Sequence, residues 1–387
     1  MNSKQFETAK MCLKVVTPIN IADGIVLGAK DYLYDSRRQK VYFLNLHQWH
    51  MFIYKHMLLE KYESYLANFR DKQSLLEWLR MQGYDIDDVR TVITSEALAT
   101  VNLMDSERKK TLNDINRHIQ QPDGSLYVPG SSIKGVFRTA ILYSLLQKRQ
   151  DIKVKYWRQI QEKISSNYFK PYRDFNKLIS DLENELLHTL RLLDGNIRSN
   201  NAVCSAMRGL QVSDTYASRN MQTAILQKVD GGFDKFGKAS PKKLPIFREC
   251  MLPEAELFFD VKIEKAVMNT IAINSVDDLL KATHSFFAAV TDLLQQAFGK
   301  EYQEAFQGVA AGNMFLGGNT GFLSKTLLAM LAPDKDTAKN TIKVLLDKSF
   351  KTHKHLLRDK IIAPRTLKCT NYNGKLMLMG VAEVRKV

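Results

Sequence analysis

A short run of glycine, serine and basic residues has the composition and spacing of an anion-binding loop. A strand is predicted to end at the preceding proline, the glycine permits a tight turn, and two serines stand where a helix begins. Amide groups at a helix N-terminus, serine hydroxyls and a lysine ammonium group together suit phosphate. The alternative is an ordinary serine cap with solvated charges, and local physics leaves both open. The candidates for phosphate contact are Gly130, Ser131, Ser132, Lys134 and Arg138.

A second segment combines glycine with a basic residue before another predicted helix. Four glycines occur within the ten residues 312–321. Glycine tolerates positive φ angles and lets the backbone approach a ligand closely. A flexible turn is the alternative, although two basic loops of this kind in one chain support each other. The candidate residues are Gly317, Gly318, Asn319, Thr320, Gly321 and Lys325.

Neither loop matches a nucleotide-binding or catalytic motif. Lys134 follows Ile133 instead of a glycine, so the first loop is not a Walker GxxxxGK[ST] run. Ser131-x-x-Lys134 matches the S-x-x-K of penicillin-interacting serine enzymes, but Thr215 replaces the Asn of their second motif and no Lys-Thr-Gly follows. The second loop lacks GxGxxG, and the chain has no aromatic RNP sequence of a conventional RRM. We therefore expect no catalytic residues and no cofactor.

Metal-ligand spacing is equally poor. His47 and His50 share a predicted helix, but no carboxylate or cysteine stands beside them to complete a site. His353 and His355 lie among lysines and are predicted to belong to a basic surface. The four cysteines are far apart with no CxxC pair, which argues against disulfides and zinc and fits a reducing cytoplasm. We expect no metal.

The charge balance points to a polyanionic partner. The chain has 387 residues, and its 56 Lys and Arg against 41 Asp and Glu give a net charge of +15. Such an excess favours nucleic acid or an acidic membrane surface. No apolar run approaches the roughly 18 residues that span a bilayer, and the first residues contain no apolar signal core. We expect a cytoplasmic protein with no membrane contact.

Strands and helices alternate in two successive blocks, which predicts an α+β fold. The first block is the domain 1–200, with helical insertions at about 47–99 and 150–193, and the second is the domain 201–387 with the glycine-rich loop. A mobile loop is predicted over 230–245. Strands are predicted at 10–17, 31–34, 40–44, 114–119, 125–128, 210–212, 223–229, 257–263 and 376–384, and further helices at 132–147, 276–298, 323–330 and 337–348.

These motifs carry a resemblance to a known family. The run Val128–Gly135 with Arg138 resembles the PGSS-(L/I)-KG-x-x-R signature of the RAMP superfamily of CRISPR proteins. The first strand and its turn, Leu13–Gly24, are similar to the family's Thr-Pro-x-x-Ile-x-x-Gly turn. Later landmarks at Leu244–Cys250, Gly317–Lys325 and Pro364–Leu367 are similar to the family of fifth subunits of the type III-A Csm complex.

The resemblance implies two ferredoxin-like (RRM-like) modules with antiparallel sheets and helical insertions. It implies a non-catalytic RNA-binding subunit that holds the 3′ part of the guide RNA (crRNA) next to the terminal backbone RAMP subunit and is needed for crRNA maturation in antiviral defence. The residues of both loops would contact the guide backbone. Backbone members of the family use an Asp for target cleavage, and no such loop can be placed in this chain, so we expect no nuclease activity.

Two alternatives stay open at this point. One is a RAMP-type endoribonuclease that processes precursor crRNA through His47 or His118. The other is a protein scaffold that touches RNA little and recruits a host nuclease for 3′ trimming.

Overall fold

Strands and helices of both halves of the chain build two sheets with helices packed against them. The computed structural model describes residues 5–387 except 69–72, 100–111, 113, 167, 192–197, 199 and 218–220. In chain order the strands are β1 (Phe6–Val15), β2 (Ala22–Leu27), β3 (Tyr32–Asp35), β4 (Lys40–Leu44), β5 (Ile93–Leu98), β6 (Ile115–His118), β7 (Leu210–Val212), β8 (Tyr216–Ala217), β9 (Thr223–Gly231), β10 (Lys242–Met251), β11 (Glu256–Glu264), β12 (Met314–Phe315), β13 (Leu367–Tyr372), β14 (Lys375–Leu378) and β15 (Val381–Lys386).

The helices lie mainly in the long connections between these strands. They are α1 (Leu46–Lys55), α2 (Leu59–Ala67), α3 (Leu75–Met81), α4 (Gly130–Lys148), α5 (Gln150–Ser165), α6 (Pro171–Leu187), α7 (Lys265–Met268), α8 (Val276–Phe298), α9 (Leu328–Leu331), α10 (Lys335–Ser349) and α11 (His355–Arg358). Short 3-10 helices lie at Ile86–Val92, Ala202–Cys204, Ala206–Gly209, Asn269–Ile271, Gln303–Phe306, Val309–Ala311 and Lys351–His353. None of the helices in the described ranges combines the length and the apolar character needed to cross a bilayer.

The first sheet has six strands in the order β12-β15-β1-β11-β7, with β8 beside β11. β1 runs antiparallel to both of its neighbours, so that Met11 faces Phe259 on one side and Lys386 on the other. Met11, Cys12 and Leu13 are all fully buried because both faces of this central strand are covered. The main core lies between this sheet and the apolar sides of α4 and α8.

The second sheet has nine strands and is mixed. Its order is β2-β6-β10-β9-β5-β4-β3, with β13 beside β9 and β14 beside β13. β6 pairs parallel with β10, and β5 pairs parallel with β9. The expected mixture of helix and sheet is confirmed, but the expectation of purely antiparallel sheets is wrong here. Strands from distant segments meet in this sheet, so no hairpin turn dictates their direction.

The two predicted domains, 1–200 and 201–387, share the first sheet. β1 belongs to the first of them, whereas its neighbours β11 and β15 belong to the second. Four strands of this sheet and the two helices α4 and α8 follow one another along the chain in the order β1, α4, β7, β11, α8 and β15. Together they form a strand–helix–strand–strand–helix–strand unit. This unit therefore draws on both halves, and the division near residue 200 stays a prediction.

The insertion predicted at 47–99 contains the helices α1 to α3 and packs around a small core that it shares with β3 and β4. This insertion core consists of the buried residues Leu33, Tyr42, Trp49, Ile53, Leu58, Tyr62, Tyr65, Leu75, Leu76, Trp78, Leu79, Ile86, Val89 and Val92. The end of the segment is the strand β5 rather than a helix, because its β-branched and alternating residues pair with β4. The second insertion, at 150–193, contains the helices α5 and α6 as expected.

Three strand expectations and one helix expectation need correction. The predicted strand 125–128 is reduced to an isolated bridge between Gln120 and Leu126, and the predicted helix 323–330 begins only at Leu328. The segment 230–245, predicted as a mobile loop, is the turn and arms of the β9–β10 hairpin, and Pro245 lies where the register shifts between Lys243 and Phe247. The proline cannot donate a hydrogen bond, and the irregularity accommodates it. The predicted closing strand 376–384 is two strands, because Gly380 adopts φ +80° between β14 and β15.

Candidate nucleic-acid interface

The two loops singled out from the sequence meet in a groove of about 330 Å³. We call it the loop groove, and we call Gly317–Lys325 the glycine-rich loop. One wall is the first two turns of α4, the other is the glycine-rich loop, and the β1–β2 turn closes the space between them. The lining residues are Ile21, Ala22, Ser132, Gly135, Val136, Thr139, Phe315, Leu316, Gly317, Gly318, Thr320, Ser324 and Lys325.

The first loop is fixed by packing at Gly130. A β-carbon at this position would lie 2.4 Å from the carbonyl oxygen of Val212, so only glycine fits. The Gly130 amide donates a hydrogen bond to the Asp214 carboxylate over 2.7 Å, and the Ser132 amide donates to the Pro129 carbonyl. A carboxylate of the chain itself therefore binds the first amide of α4, where the sequence predicted a bound anion.

The two basic residues of the first loop point away from the groove lining. Lys134 is half-buried, and burial lowers the pKa of its ammonium group. Arg138 is exposed, and its Nη1 lies 3.3 Å from Glu183 Oε2 on α6. Ser131 is exposed on the same turn. The loop groove thus contains Ser132 of this set, whereas the cations lie on an adjoining side of α4.

The glycine-rich loop is held firmly against the β1–β2 turn. Gly317 has φ +86°, and a β-carbon there would lie 2.4 Å from the Asn20 carbonyl oxygen. The Gly318 amide donates to that same oxygen over 2.7 Å. Thr320 is buried, and the Ser324 hydroxyl donates to its carbonyl over 3.0 Å. The interpretation as a flexible turn is therefore not supported by these contacts.

The remaining residues of this loop present polar groups beside the groove. Asn319 adopts φ +59°, and its Nδ2 lies 3.0 Å from the sulfur of Met379. Gly321 adopts φ +92° against the aliphatic part of Lys368. Lys325 is exposed overall. Burial of its ammonium group by the surrounding protein nevertheless lowers the pKa of Lys325, and the charge of Arg248 lowers that pKa further. This combination is typical of a cation on a concave surface.

Two residues of this site were missed by the sequence reasoning. Asn20 is fully buried, and its Nδ2 donates to the Glu249 carbonyl over 2.8 Å. Its Oδ1 accepts a hydrogen bond from Arg248 Nη1 over 3.3 Å. Both residues lie inside segments that carry the family resemblance, but no local pattern joins a turn after β1 to a strand more than 200 residues later.

A row of basic side chains continues from Arg248 across the second sheet. Lys368 Nζ lies 2.9 Å from Asp230 Oδ1, and Lys228 Nζ lies 3.7 Å from the same oxygen. Burial lowers the pKa of Lys228, and the charges of Lys368 and Arg248 lower it further, against the opposing effect of Asp230. One carboxylate is thus shared by more than one lysine.

The histidines do not form a catalytic arrangement around this site. His118 is fully buried, its Nδ1 donates to the Ile119 carbonyl over 2.8 Å, and burial lowers its pKa. A phosphodiester could not reach this ring. His47 is exposed on α1 in the insertion. His355 is buried with its Nδ1 2.8 Å from Asp359, which corrects its expected place on a basic surface.

No group of three or more His, Cys, Asp or Glu residues within the described ranges is arranged to hold a metal ion. All four cysteines are free and buried.

Comparisons with known proteins give a consistent result. The family model of the RAMP superfamily matches residues 12–321. A Mycobacterium tuberculosis protein named "CRISPR system Cms protein Csm5" is 26% identical over 396 residues, covering 98% of this chain and 97% of the relative. A protein of the same name from Enterococcus italicus is 23% identical over 376 residues, covering 88% and 85%.

Solved structures agree in fold. A chain in a cryo-EM structure of a Csm–crRNA–target RNA ternary complex of a type III-A CRISPR-Cas system superposes with a TM-score of 0.66 at 19% identity, covering 98% of this chain and all of that chain. The crystal structure of T. onnurineus Csm5 superposes with a TM-score of 0.58 at 19% identity, covering 96% and 99%.

Proposed function

Because the chain belongs to the RAMP superfamily, we propose that it is a non-catalytic RNA-binding subunit of a type III-A CRISPR (Csm) ribonucleoprotein complex. In that complex it holds the 3′ part of the guide crRNA next to the terminal backbone subunit and contributes to crRNA maturation in antiviral defence. Support comes from relatives that share the Csm5 name and match nearly the whole chain. Host nucleases that trim the 3′ end are further proposed partners.

The loop groove is the single observation that carries RNA binding. It brings Gly318, which leaves room for a ligand to approach, together with the hydroxyl-bearing Ser132 and the basic Lys325 on one concave surface of a chain with a net charge of +15. RNA phosphates accept hydrogen bonds from such groups whatever the base sequence, and cations displace their counterions. A subunit that must hold guides of many sequences needs contacts of this kind.

The proposed contacts to the guide backbone come from both loops. Gly130 acts through the packing that positions α4, because its amide is already bonded to Asp214. Lys134 and Arg138 extend the binding surface along the exposed side of α4. The residues proposed for RNA binding are Gly130, Ser131, Ser132, Lys134, Arg138, Gly317, Gly318, Asn319, Thr320, Gly321 and Lys325.

The fold assignment can be refined in the same way. The unit β1, α4, β7, β11, α8 and β15 has the strand–helix–strand–strand–helix–strand order of a ferredoxin-like module. We assign the second expected ferredoxin-like module to the nine-stranded sheet. Each module would then draw strands from both of the proposed domains, 1–200 and 201–387.

The absence of nuclease activity is part of the proposal. An RNA-cleaving histidine must reach the 2′-hydroxyl or the leaving oxygen within hydrogen-bond distance. His118 is buried with its Nδ1 already bonded to a backbone carbonyl, which argues against the endoribonuclease alternative at that residue.

The proposed RNA contact is tested by replacing Lys134 with alanine. Lys134 is half-buried with no carboxylate within ion-pair distance among the described residues, so its charge is available to a phosphate. We expect Lys134→Ala to weaken binding of single-stranded RNA equally for all sequences. The slope of log K against log salt should fall by about 0.7, the value for one phosphate on a single strand. Filter-binding titrations at several salt concentrations measure both effects.

The matched control is Lys148→Ala, at the exposed end of the same helix. It removes the same charge about 21 Å away, at 1.5 Å per helical residue, and should leave the slope unchanged. Equal slopes for the wild type and Lys134→Ala would contradict a phosphate contact at Lys134.

A further inference from the structure

Arg248 lies directly beneath the glycine-rich loop, although it comes from β10 of the second sheet. Its Nη1 is 3.3 Å from the point where a β-carbon of Gly318 would be. The same Nη1 donates to Oδ1 of the Asn20 side chain, and the backbone carbonyl of Asn20 accepts the hydrogen bond from the Gly318 amide. Gly318 lines the loop groove, so its missing side chain is what lets the guanidinium lie against the groove wall.

The guanidinium is incompletely paired. Its Nε is buried and has no hydrogen-bond partner among the described residues. A buried donor without a partner is unfavourable, and more so when it is charged. Burial lowers the pKa of Arg248 from its usual value. Such a group is unfavourable in the free chain unless an anion completes its environment.

Lys325 brings a second cation to the same place. Lys325 lines the loop groove together with Gly318, against which Arg248 Nη1 lies, and the charge of Arg248 lowers the pKa of Lys325. In the described part of the chain no carboxylate lies within 4 Å of either side chain, whereas Lys228 and Lys368 have Asp230.

The neighbouring carboxylate cannot neutralise this pair. Glu249 follows Arg248 on β10, and alternation along the strand directs its side chain to the opposite face. There it accepts hydrogen bonds from Arg117 Nε over 3.1 Å, from the His118 amide over 3.2 Å and from the Thr223 hydroxyl over 3.2 Å. Among the residues that the structure describes, the positive charge of Arg248 and Lys325 therefore has no counterion.

We propose that Arg248 and Lys325 form a phosphate subsite where the glycine-rich loop meets β10, with Asn20 as the residue that positions Arg248. Its ligand is one phosphodiester of the bound RNA, so the subsite rests on the proposed function. The two cations repel each other in the free chain, and the phosphate relieves that repulsion. The charge of Lys325 therefore strengthens RNA binding and lowers the stability of the folded chain without RNA.

This arrangement predicts effects of opposite sign from one substitution. Lys325→Gln removes the charge and keeps a long polar side chain. We expect the midpoint of urea unfolding of the free chain to rise, and the affinity for a fluorescein-labelled single-stranded RNA to fall about tenfold or more, as for loss of a charge-assisted hydrogen bond. Lys325→Arg keeps the charge and should retain both wild-type properties.

Lys61→Gln is the matched control, because it removes one exposed positive charge from α2 in the insertion. It should change neither the unfolding midpoint nor RNA affinity by a comparable amount. A Lys325→Gln variant whose unfolding midpoint is unchanged or lower than that of the wild type would overturn the proposal, and so would unchanged RNA affinity.

Inorganic phosphate separates the subsite from the proposed function. A ligand that binds only the folded state raises the free energy of unfolding by RT ln(1 + L/Kd), where L is the free ligand concentration. Added phosphate should raise the unfolding midpoint of the wild type and not that of Lys325→Gln. If RNA fails to bind the wild type while phosphate still gives this difference, the subsite stands and the RNA function falls. If RNA binds the wild type and Lys325→Gln equally, and phosphate stabilises both proteins equally, the subsite is contradicted and the RNA-binding function is retained.

Discussion

Gly317 and Gly124 adopt nearly the same backbone angle but differ in their surroundings. Gly317 has φ +86° and Gly124 has φ +83°. A β-carbon at Gly317 would meet the Asn20 carbonyl at 2.4 Å, whereas at Gly124 it would meet nothing within 4 Å. Backbone conformation explains a glycine at both positions, but only at Gly317 does close packing between two loops also require one.

This pair of glycines separates backbone strain from packing. Gly124→Ala should lower the free energy of unfolding by about 1–2 kcal/mol, the usual penalty for an L-residue in the left-handed region. Gly317→Ala should cost about 1–3 kcal/mol more, because the added methyl group displaces the β1–β2 turn. Urea titrations of both variants measure the difference. Equal destabilisation would show that the contact with Asn20 relaxes freely.

The insertion formed by α1 to α3 packs apart from the loop groove. Its aromatic residues pack mainly on each other, with the ring centroid of Trp49 5.9 Å from that of Tyr62 and 6.4 Å from that of Trp78. The insertion core contains none of the groove residues. The insertion therefore has the packing of a unit that can unfold locally.

Trp49→Ala tests this independence. Removing a buried aromatic side chain costs about 3–5 kcal/mol, and the loss should fall on the insertion and on the strands β3 and β4 that share its core. Amide hydrogen exchange should accelerate in residues 46–92, while exchange in α4 and RNA affinity stay close to the wild type. Phe137→Ala is the control, because Phe137 lies in the main core and its loss should affect α4 and RNA binding as well. Equal losses of RNA affinity in both variants would contradict an independent insertion.

Elements with strong local signals could be predicted from the sequence. The strand 210–212 and the helix 276–298 match β7 and α8 in their bounds, and both loops of the groove were identified from glycine, serine and lysine alone. The role of Arg248 could not be predicted, because it depends on which strand passes beneath the glycine-rich loop. The hydrogen bond from Gly130 to Asp214 could not be predicted either, because Asp214 reaches the start of α4 only through the pairing of β7 with β11.

At the scale of the whole molecule, the loop groove uses only part of the charge. The chain has 56 Lys and Arg residues, and the groove with its adjoining surfaces accounts for a few of them. Many others form exposed ion pairs, such as Lys155 with Glu185 and Arg149 with Asp151. Exposed pairs of this kind contribute little to stability. The count of 56 basic residues therefore overstates the number of specific RNA contacts.

The proposed role in the assembled complex is tested by leaving the chain out. Complexes expressed with and without this subunit are purified, and the 3′ ends of their guides are sequenced. We expect longer or more heterogeneous 3′ ends when the subunit is absent, because nothing then holds the 3′ part of the guide. Guides with unaltered 3′ ends would contradict a role in maturation, while RNA binding would still be judged from the Lys134 titrations.

The central position of β1 has a consequence for biosynthesis. β1 lies between β11 and β15, and the Val387 amide still donates to the Lys10 carbonyl over 3.0 Å. A strand that leaves the ribosome early must wait for partners translated more than 240 residues later. The six-stranded sheet therefore cannot close during translation until β15 emerges, and the apolar strand Met11–Val15 remains a target for chaperones until then.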